Sequence, residues 1–359
     1  MGNLVDGPRV RAGFIGCGSH AFRNVYPALQ FAPVELVAVC DLDVEKAAAF
    51  ARQFGAARSY GDHQVMLEAE ELDAVFVVVG YDDRGWPLYP DIAIDALDAG
   101  CHVWMEKPPA ATVADIDRMA GAASRAGRQV MVGLKKMFAP ANVHADRLAR
   151  ELEFGTATHV LAQYPQFVPT AESMQRYLAG ERSTGAMAFL DHLCHPASVL
   201  QLLLGRPGSL YYERTASGSA QVLLSYDGGR LASLALTWGS APADGLERTT
   251  IISDRGAHIV VDDNRRVELH RAPFLGYGDV LDVYATPAEQ ATVVWEPEHS
   301  LGQLYNKGLV VLGYQGEIAE FAGAVLEDRP VRHAGLDDAR DLTALFEAFA
   351  AGPGTKVDL

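Results

Sequence analysis

The sequence predicts an α/β protein whose N-terminal part is a doubly wound parallel sheet and whose C-terminal part is an α+β domain with an open, mainly antiparallel sheet. Up to about residue 134, short apolar runs alternate with helical patterns, as in β-α-β units that build a parallel sheet. Beyond that point, longer strand-like stretches are separated by turn residues. A chain of 359 residues also exceeds the length that one hydrophobic core usually serves. We therefore predict one domain over residues 1–134 and a second over 135–359.

The first domain is predicted from the order of its elements. The predicted strands are short apolar runs at 10–15, 34–40, 74–79, 102–105 and 129–133. The predicted helices between and after them lie at 21–31, 44–54, 90–99 and 115–126. Asp115 and Asp117 stand in the first turn of the last of these helices, where the helix dipole favours acids. The alternation indicates a doubly wound sheet.

The second domain is predicted from a different pattern. Its predicted strands lie at 157–164, 210–215, 220–226, 230–238, 249–253, 257–261 and 266–270. Its predicted helices lie at 141–153, 315–327 and 337–351. Asp227 and Gly228 between two strand patterns indicate a hairpin. We expect the helices to pack on one face of an antiparallel sheet and the last helix to pack back on the first domain.

Charge and composition exclude several classes of protein. The formal net charge is -16 and no local block of Lys or Arg would bind a phosphate backbone, so nucleic acid is not an expected partner. No apolar run approaches 18 residues, and residues 1–8 lack the apolar stretch of a signal peptide, so we expect a cytoplasmic location and no membrane contact. The four cysteines show no Cys-x-x-Cys spacing, and we expect no metal site.

A glycine-rich segment, G-x-G-x-x-A at Gly16, Gly18 and Ala21, predicts a dinucleotide site. The spacing alone is a weak signal, because strand-to-helix turns commonly need a glycine. Here a predicted strand runs into Gly16 and a helix leaves after Gly18. The N–H groups around Ser19 and His20 are then free to bind a pyrophosphate. Gly16 would make the tight turn, and Gly18 would let the backbone approach the phosphates.

The acid at the end of the second predicted strand indicates which dinucleotide is bound. Asp41 follows Gly16 by 25 residues, close to the spacing of a ribose-binding acid. A carboxylate there accepts hydrogen bonds from the ribose 2'-hydroxyl and repels a 2'-phosphate. The next residues, Leu42 and Asp43, supply no cation for such a phosphate. We therefore predict NAD rather than NADP, the alternative being that Asp41 only caps the helix that begins near residue 44.

A second polar string, Glu106, Lys107, Pro108 and Pro109, directly follows the predicted strand at 102–105. Ligands bind at the carboxyl ends of the strands in parallel sheets, so Glu106 and Lys107 are candidate cofactor contacts. Lys107 could also hydrogen-bond or polarise a substrate oxygen. The alternative is a solvated lysine in a loop.

Three segments together carry a family resemblance: the glycine-rich turn, the Ala-Gly-x-His-Val stretch that leads to Glu-Lys-Pro within 99–108, and the stretch 133–140. With them the chain resembles the Gfo/Idh/MocA family of NAD(P)-dependent oxidoreductases, named for glucose-fructose oxidoreductase and inositol dehydrogenase, over nearly its whole length. The resemblance implies an N-terminal Rossmann domain and a C-terminal domain that binds substrate and forms oligomers. It also implies a homodimer or homotetramer assembled through the open sheet.

The family also carries an Asp-x-x-x-His element on a helix of its second domain, which this chain has at Asp191 and His195. The match implies that Lys107, Asp191 and His195 form the catalytic group. A histidine is suited to take the hydroxyl proton, Asp191 would orient the base or the substrate hydroxyl, and Lys107 would stabilise charge on oxygen. The alternatives are a chance pair of His192 and His195 on an amphipathic helix, or metal ligation by the Asp–His pair, for which no third ligand is indicated.

The chain departs from the family pattern in stretches that would face the substrate. Many relatives have Asn and Arg within 133–140, where Lys135 here would take a hydrogen-bonding role. The loop at 80–89 replaces the usual Thr-Pro-Asn and is a few residues longer. Trp86 in this loop would stack on the cofactor or cover an apolar edge. Tyr164 is a candidate sugar contact, with a purely structural role as the alternative.

The leading functional hypothesis is an NAD-dependent dehydrogenase or reductase that acts on a secondary alcohol or ketone of a sugar, cyclitol or amino-cyclitol. A different class is a redox-cycling epimerase, lyase or glycoside-cleaving enzyme with tightly held NAD. A third is a non-catalytic NAD-binding regulator. The presence of Lys107, Asp191 and His195 argues against the third class.

Overall fold

The computed structural model describes residues 7–239, 247–271, 292–297 and 307–359, and within them the first sheet has six strands. These are β1 Val10–Ile15, β2 Val34–Cys40, β3 Arg58–Tyr60, β4 Ala74–Val77, β5 His102–Met105 and β6 Val130–Val132. All pairings are parallel, in the order β3-β2-β1-β4-β5-β6. The direction of winding changes between β1 and β4, which is where ligands bind in such sheets.

Helices of the first half cover both faces of this sheet. They are α1 Tyr26–Leu29, α2 Val44–Phe54, α3 His63–Ala69, α4 Tyr89–Asp98 and α5 Val113–Ala126. Sequence signals set the ends of α2, because Asp43 accepts the N–H of Lys46 and Gly55 ends the helix with a φ of +83°.

The structure differs from the predicted pattern near three of these elements. The helix predicted at 21–31 is a π-helical turn, Ala21–Val25, followed by the short α1. Pro27 has no N–H to donate to the carbonyl of residue 23, so a regular α-helical ladder cannot run through this point. The strand β3 and the helix α3 were not predicted, because β3 is short and its residues are polar and largely exposed.

The second sheet has nine strands among the described residues and is mostly antiparallel. They are β7 Ala157–Tyr164, β8 Ser209–Arg214, β9 Ala220–Ser225, β10 Leu231–Leu236, β11 Arg248–Ser253, β12 His258–Asp262, β13 Arg266–His270, β14 Val293–Trp295 and β15 Val357–Asp358. Their order is β14-β13-β12-β11-β7-β10-β9-β8-β15, with β7 and β10 parallel. The predicted fold class, a Rossmann sheet followed by an α+β part, is confirmed.

Helices of the second half connect the two sheets. They are α6 Pro140–Ala149, α7 Ala171–Leu178, α8 Thr184–Leu204, α9 Lys307–Val311, α10 Tyr314–Leu326 and α11 Leu336–Ala348. Phe321 of α10 packs edge-on against Phe76 of β4 with ring centroids 5.5 Å apart. Arg340 of α11 is bonded to Asp117 of α5 at 2.8 Å. The C-terminal helices therefore lie against the first sheet.

The long helix α8 is the element that brings the second half to the site. By length and composition it could cross a membrane, but 61% of its most apolar window is buried inside the protein, as in the core helix of a globular fold. Its buried side chains include Phe189, Leu193 and Leu200. The side chains of Asp191 and His195 are only half-buried.

Candidate active site

The glycine-rich turn lies at the carboxyl end of β1, and its first position accepts only glycine. Gly16 has a φ of +105°, and a Cβ placed on it would lie 1.9 Å from the carbonyl oxygen of Val78. A Cβ on Gly18 would instead meet no atom within 4 Å. The turn is therefore closed against the sheet at Gly16 and open at Gly18, where a ligand could approach the backbone.

Asp41 is bonded to this turn from the end of β2. Its Oδ2 accepts the N–H of Cys17 at 2.7 Å, and its Oδ1 accepts the N–H of Asp43 at 3.0 Å. The cap of α2 is Asp43, which accepts the N–H of Lys46. The alternative interpretation of Asp41 as a mere helix cap is therefore wrong.

The residues around the turn fit a dinucleotide. Ser19 and His20 begin the first helix and are exposed, and Leu42 is 93% exposed beside Asp41. The first N–H groups of that helix have no carbonyl four residues earlier within the helix. Open amides, the empty space at Gly18 and one carboxylate together supply what a pyrophosphate and its ribose require.

Hydrogen bonds link this turn to residues deeper in the cleft. Nε2 of His20 lies 2.8 Å from Oε1 of Glu106 and 3.4 Å from the hydroxyl of Tyr314. Lys135 donates to the same hydroxyl at 2.9 Å. Burial lowers the pKa of Lys135 below its ordinary value. Glu106 also accepts the backbone N–H of Lys107 at 2.9 Å, so the predicted contacts His20, Glu106, Lys107 and Lys135 lie in one connected group.

Lys107 and Asp191 meet across the cleft. Nζ of Lys107 donates to Oδ1 of Asp191 at 2.7 Å, and the hydroxyl of Tyr81 donates to the same oxygen at 3.1 Å. Burial opposes the charge on Lys107, but the carboxylates of Asp191 and Glu106 outweigh it and raise the pKa of the ammonium. Lys107 is thus a charged hydrogen-bond donor held by a carboxylate from α8.

His195 lies one helical turn beyond Asp191. Its ring centroid is 6.2 Å from that of Tyr164, and no group among the described residues hydrogen-bonds to the ring. Burial lowers the pKa of His195 well below its usual value, and the nearby ammonium groups of Lys107, Lys136 and Lys135 act in the same direction. The ring is therefore neutral at neutral pH and can accept a proton.

A partly buried ion pair lies near His195 and Tyr164. Lys136 pairs with Glu247, and its ammonium is 5.4 Å from the ring centroid of Tyr164. Asn264 donates to the same carboxylate at 2.6 Å. Burial lowers the pKa of Lys136, although Glu247 opposes the shift. Tyr164 consequently has both the imidazole of His195 and the ammonium of Lys136 nearby.

Trp86 takes the second of its two predicted roles in this structure. Its indole N–H donates to the carbonyl oxygen of Tyr177 at 3.0 Å, and the guanidinium of Arg84 lies 4.4 Å from its ring centroid. The ring thus packs against α7 and covers an apolar edge. A contact between Trp86 and the cofactor stays a prediction.

Four polar side chains of the site were not singled out from the sequence: Tyr81, Lys136, Tyr314 and Glu317. Lys136 follows Lys135, so the pair of lysines was a usable signal. Tyr314 and Glu317 belong to a helix whose pattern is otherwise that of a core helix. Tyr81 lies in the altered loop, for which no pattern gives an orientation.

No group of three or more His, Cys, Asp or Glu side chains that could hold a metal ion occurs in the described part of the chain. The site presents a charged donor paired with a carboxylate, and a neutral imidazole one helical turn beyond that carboxylate.

Comparison with known protein families finds a match in each half of the chain. The model for "Oxidoreductase family, NAD-binding Rossmann fold" matches residues 10–134, and the model for the "GFO/IDH/MocA C-terminal domain" matches residues 143–259. Both matches fall on the parts of the chain that carry the predicted motifs.

Similar proteins include a D-xylose 1-dehydrogenase (NADP(+)) of Haloferax volcanii, which is 23% identical over 96% of this chain and 99% of its own length. A dTDP-3,4-didehydro-2,6-dideoxy-alpha-D-glucose 3-reductase of Saccharopolyspora spinosa is 31% identical over 63% of this chain and 67% of its own. The crystal structure of a dehydrogenase from Chromobacterium violaceum has a TM-score of 0.78 at 20% identity and covers 96% of this chain and 95% of its own, which shows a shared fold. Since the two family models together match well over half of the sequence, the protein belongs to the Gfo/Idh/MocA family of NAD(P)-binding oxidoreductases.

Proposed function

We propose that the protein is an NAD-dependent dehydrogenase or reductase that acts on a secondary alcohol or ketone of a sugar, cyclitol or amino-cyclitol. One observation carries the proposal: Nζ of Lys107 lies 2.7 Å from Oδ1 of Asp191, one helical turn before His195. This arrangement joins a lysine at the end of β5 to an acid and a base on α8. The names of the Haloferax and Saccharopolyspora relatives, a xylose dehydrogenase and a deoxyglucose reductase, support a hydroxyl-rich substrate.

The three side chains have separate roles in this reaction. The nicotinamide, when bound, supplies the hydride acceptor or donor. His195 takes the hydroxyl proton during oxidation and returns it during reduction, since its ring is neutral and free to hydrogen-bond. Lys107 donates a hydrogen bond to the substrate oxygen and stabilises negative charge there. Asp191 holds the ammonium of Lys107 in place.

The proposed preference for NAD rests on Asp41. Its carboxylate is fixed at the glycine-rich turn by the N–H of Cys17, and the following residues, Leu42 and Asp43, bring no cation to a 2'-phosphate. A fixed carboxylate accepts from a ribose hydroxyl and repels a phosphate. The preference is proposed for this chain even though the Haloferax relative is named for NADP(+).

A panel of polyols, assayed with NAD or NADP by absorbance at 340 nm, tests the proposal. We expect net NADH formation with at least one sugar or cyclitol. His195→Asn should reduce turnover at least ~100-fold, because a positioned general base contributes about that much or more. His192→Asn is the matched control, since its exposed ring lies on the same helix and its Nδ1 lies 2.9 Å from the carbonyl oxygen of Ala188.

Two results would contradict the proposal. Full activity of His195→Asn would show that His195 is not the general base. Product formed without net NADH would instead indicate an epimerase, lyase or glycoside-cleaving enzyme that re-reduces its own intermediate.

We also propose the two-domain division at residues 134 and 135, with the cleft between the parts as the reaction site, and assembly into a homodimer or homotetramer through the second sheet. Support for assembly comes from the exposed face of that sheet, where Leu161 of β7, Leu223 of β9 and Tyr211 of β8 lie in one row, with Ser233 of β10 between the two leucines. Exposed apolar rows of this kind favour burial against a partner. Light scattering of the protein and of Leu161→Glu measures the assembly, and a monomer in both cases would contradict it.

A further inference from the structure

The loop at 80–89 brings a tyrosine to the pair that carries the proposed function. This loop connects β4 to α4, so it leaves the first sheet next to the crevice. The hydroxyl of Tyr81 donates to Oδ1 of Asp191 at 3.1 Å. The same oxygen accepts the ammonium of Lys107 at 2.7 Å. Tyr81 is thus a second donor from the first half of the chain on one oxygen of a carboxylate from α8.

Two donors on one oxygen fix the carboxylate. With Oδ1 occupied twice, rotation of the carboxylate would break both hydrogen bonds. Oδ2 of Asp191 makes no hydrogen bond within the described residues, and Nδ1 of His192 lies 3.7 Å from it. The geometry therefore leaves Oδ2 as the acceptor that faces a substrate hydroxyl.

The phenol is suited to this role because it stays neutral. Burial raises the pKa of Tyr81 far above its ordinary value, and the carboxylate of Asp191 acts in the same direction. The phenol therefore stays protonated at neutral pH, where its O–H donates to Asp191. Because the phenol carries no charge, it does not replace Lys107 as the counter-ion of Asp191.

The loop is built to hold Tyr81 in this place. Oδ1 of Asp82 accepts the backbone N–H groups of Arg84 at 2.9 Å and Trp86 at 2.8 Å, which closes the loop on itself. Tyr81 and Pro87 form a β-bridge across it. The loop is therefore a compact unit and not an open connection.

Reciprocal hydrogen bonds attach this unit to the second half of the chain. The indole of Trp86 donates to the carbonyl of Tyr177 at 3.0 Å, and the hydroxyl of Tyr177 donates to the carbonyl of Gly85 at 2.7 Å. Arg182 donates to the carbonyl of Asp83 at 3.2 Å. These contacts join the loop to α7 and to the segment before α8, the helix that carries Asp191.

We propose that Tyr81 is a positioning residue that orients Asp191 and Lys107 for catalysis, and that docking of residues 80–89 on α7 holds it there. This inference rests on the proposed function and adds a specific role for the loop that departs from the family pattern. Tyr81 acts through Asp191 and need not touch the substrate.

The test compares two conservative variants. Tyr81→Phe removes only the hydroxyl, and we expect kcat to fall roughly 10- to 100-fold, as for a lost hydrogen bond to a charged group, with the KM for NAD unchanged. Tyr89→Phe is the matched control, because it removes a buried hydroxyl at the other end of the loop that donates to Val79 at 2.9 Å. Its kcat should stay within about twofold of the parent.

A third variant tests the docking. Trp86→Phe removes the indole N–H that donates to Tyr177. We expect this change to lower kcat when it is made in the parent protein. When it is added to Tyr81→Phe it should lower kcat little further, because both changes act through the same phenol. Additive losses would overturn the docking part of the proposal. A kcat of Tyr81→Phe within twofold of the parent, or an equal loss in Tyr89→Phe, would overturn the role of Tyr81.

Two further measurements separate this inference from the proposed function. If His195→Asn is inactive while Tyr81→Phe is fully active, only the positioning role fails, whereas an active His195→Asn removes the function itself. A crystal structure of Tyr81→Phe needs no substrate. It should show the Asp191 carboxylate rotated or in two orientations, and a single unchanged orientation would contradict the proposal.

Discussion

Oδ2 of Asp41 lies 2.7 Å from the backbone nitrogen of Cys17, so the acid at the end of β2 is tied to the glycine-rich turn at the end of β1. The two strands are neighbours in the sheet, with Ile15 paired to Cys40. This pairing fixes the distance between the carboxylate and the turn. One hydrogen bond between adjacent strand ends therefore fixes the position of the proposed ribose acceptor relative to the turn.

Asp41→Asn should weaken the preference for NAD. The amide keeps the size of the side chain but loses the charge that accepts from a ribose hydroxyl and repels a 2'-phosphate. We expect the ratio of kcat/KM for NAD to that for NADP to fall about 10-fold or more. Asp43→Asn, which changes the cap of α2, is the control and should leave this ratio unchanged. An unaltered ratio in Asp41→Asn would remove the assignment.

A pair of glycine variants should separate folding from cofactor binding. In Gly16→Ala the new Cβ would lie 1.9 Å from the carbonyl of Val78 at a φ of +105°, so we expect a loss of roughly 2 to 4 kcal/mol in unfolding free energy. In Gly18→Ala the Cβ meets no atom within 4 Å, and stability should change by no more than ~0.5 kcal/mol. Its affinity for NAD should nevertheless fall, because the methyl occupies the space of the pyrophosphate.

Thermal unfolding with and without NAD measures both effects. Equal unfolding curves for Gly16→Ala and the parent would contradict the first expectation. Undiminished stabilisation of Gly18→Ala by NAD would contradict the second.

The pH profile of oxidation should report the environment of His195. Burial, Lys107, Lys136, Lys135 and His192 all lower the pKa of this ring, so the neutral, proton-accepting form persists well below the usual range. We expect kcat/KM for alcohol oxidation to stay level as the pH falls through ~6.5, the ordinary histidine value, and to decline only at lower pH.

Removal of one cation tests the cause. Lys136→Gln deletes a positive charge near His195, which should raise the pKa of the ring and move the acidic limb to higher pH. Lys356→Gln, an exposed lysine paired with Asp358 on β15, should leave the limb in place. If the acidic limb of the profile lies at the same pH in all three proteins, it reports the titration of a group other than His195.

The sequence predicts the strands of this fold best where a strand is mostly apolar and buried. The predicted bounds of β1, β2 and β5 agree with the structure, because each strand is a mainly apolar, largely buried run in a parallel sheet. The sequence pattern does not predict β3, because its residues are mostly polar and lie at an exposed edge of the sheet. α7 was missed because it is short and buries only Met174 and Tyr177.

Site residues are predictable from the sequence where their chemistry and their motif indicate the role. They are not predictable where a contact depends on the geometry of a loop. Lys107 and Asp191 were expected to act together, and the structure brings them to 2.7 Å. Nothing in the sequence states that Tyr81 donates to the same carboxylate, since that follows from the turn made by Asp82 and the anchoring of Trp86. Hydrogen bonds between loops and distant helices are specified by tertiary packing, which local patterns do not record.

Glu317 is the clearest case of a residue that the helical pattern conceals. It lies beside the buried stripe of Tyr314, Ile318 and Phe321 on α10 and is itself 0% exposed. Neither carboxylate oxygen has a hydrogen-bond partner among the described residues. Burial raises the pKa of Glu317 well above its ordinary value, and the nearby carboxylate of Glu106 adds to this, against the opposing charge of Lys135.

A raised pKa gives a definite sign to the pH dependence of stability. As the pH rises above ~4.3, the unfolded chain releases the proton of Glu317 while the folded chain retains it, so this residue lowers folding stability progressively up to its folded pKa. Glu317→Gln is neutral in both states and loses this penalty. We therefore expect the Tm of the variant to match the parent near pH 4 and to exceed it by a growing margin as the pH rises.

Glu320, three residues later on the same helix, supplies a control of opposite sign. Burial opposes its charge, but hydrogen bonds from Arg329 and from the backbone of Arg332 outweigh it and lower the pKa of Glu320. Glu320→Gln should therefore lower the Tm at pH 7, with a deficit that shrinks as the pH falls through the acidic range. Thermal unfolding of the three proteins from pH 4 to 9 measures both trends. A Tm difference for Glu317→Gln that is independent of pH would show that Glu317 is ionised in the folded protein and that Lys135 compensates its burial.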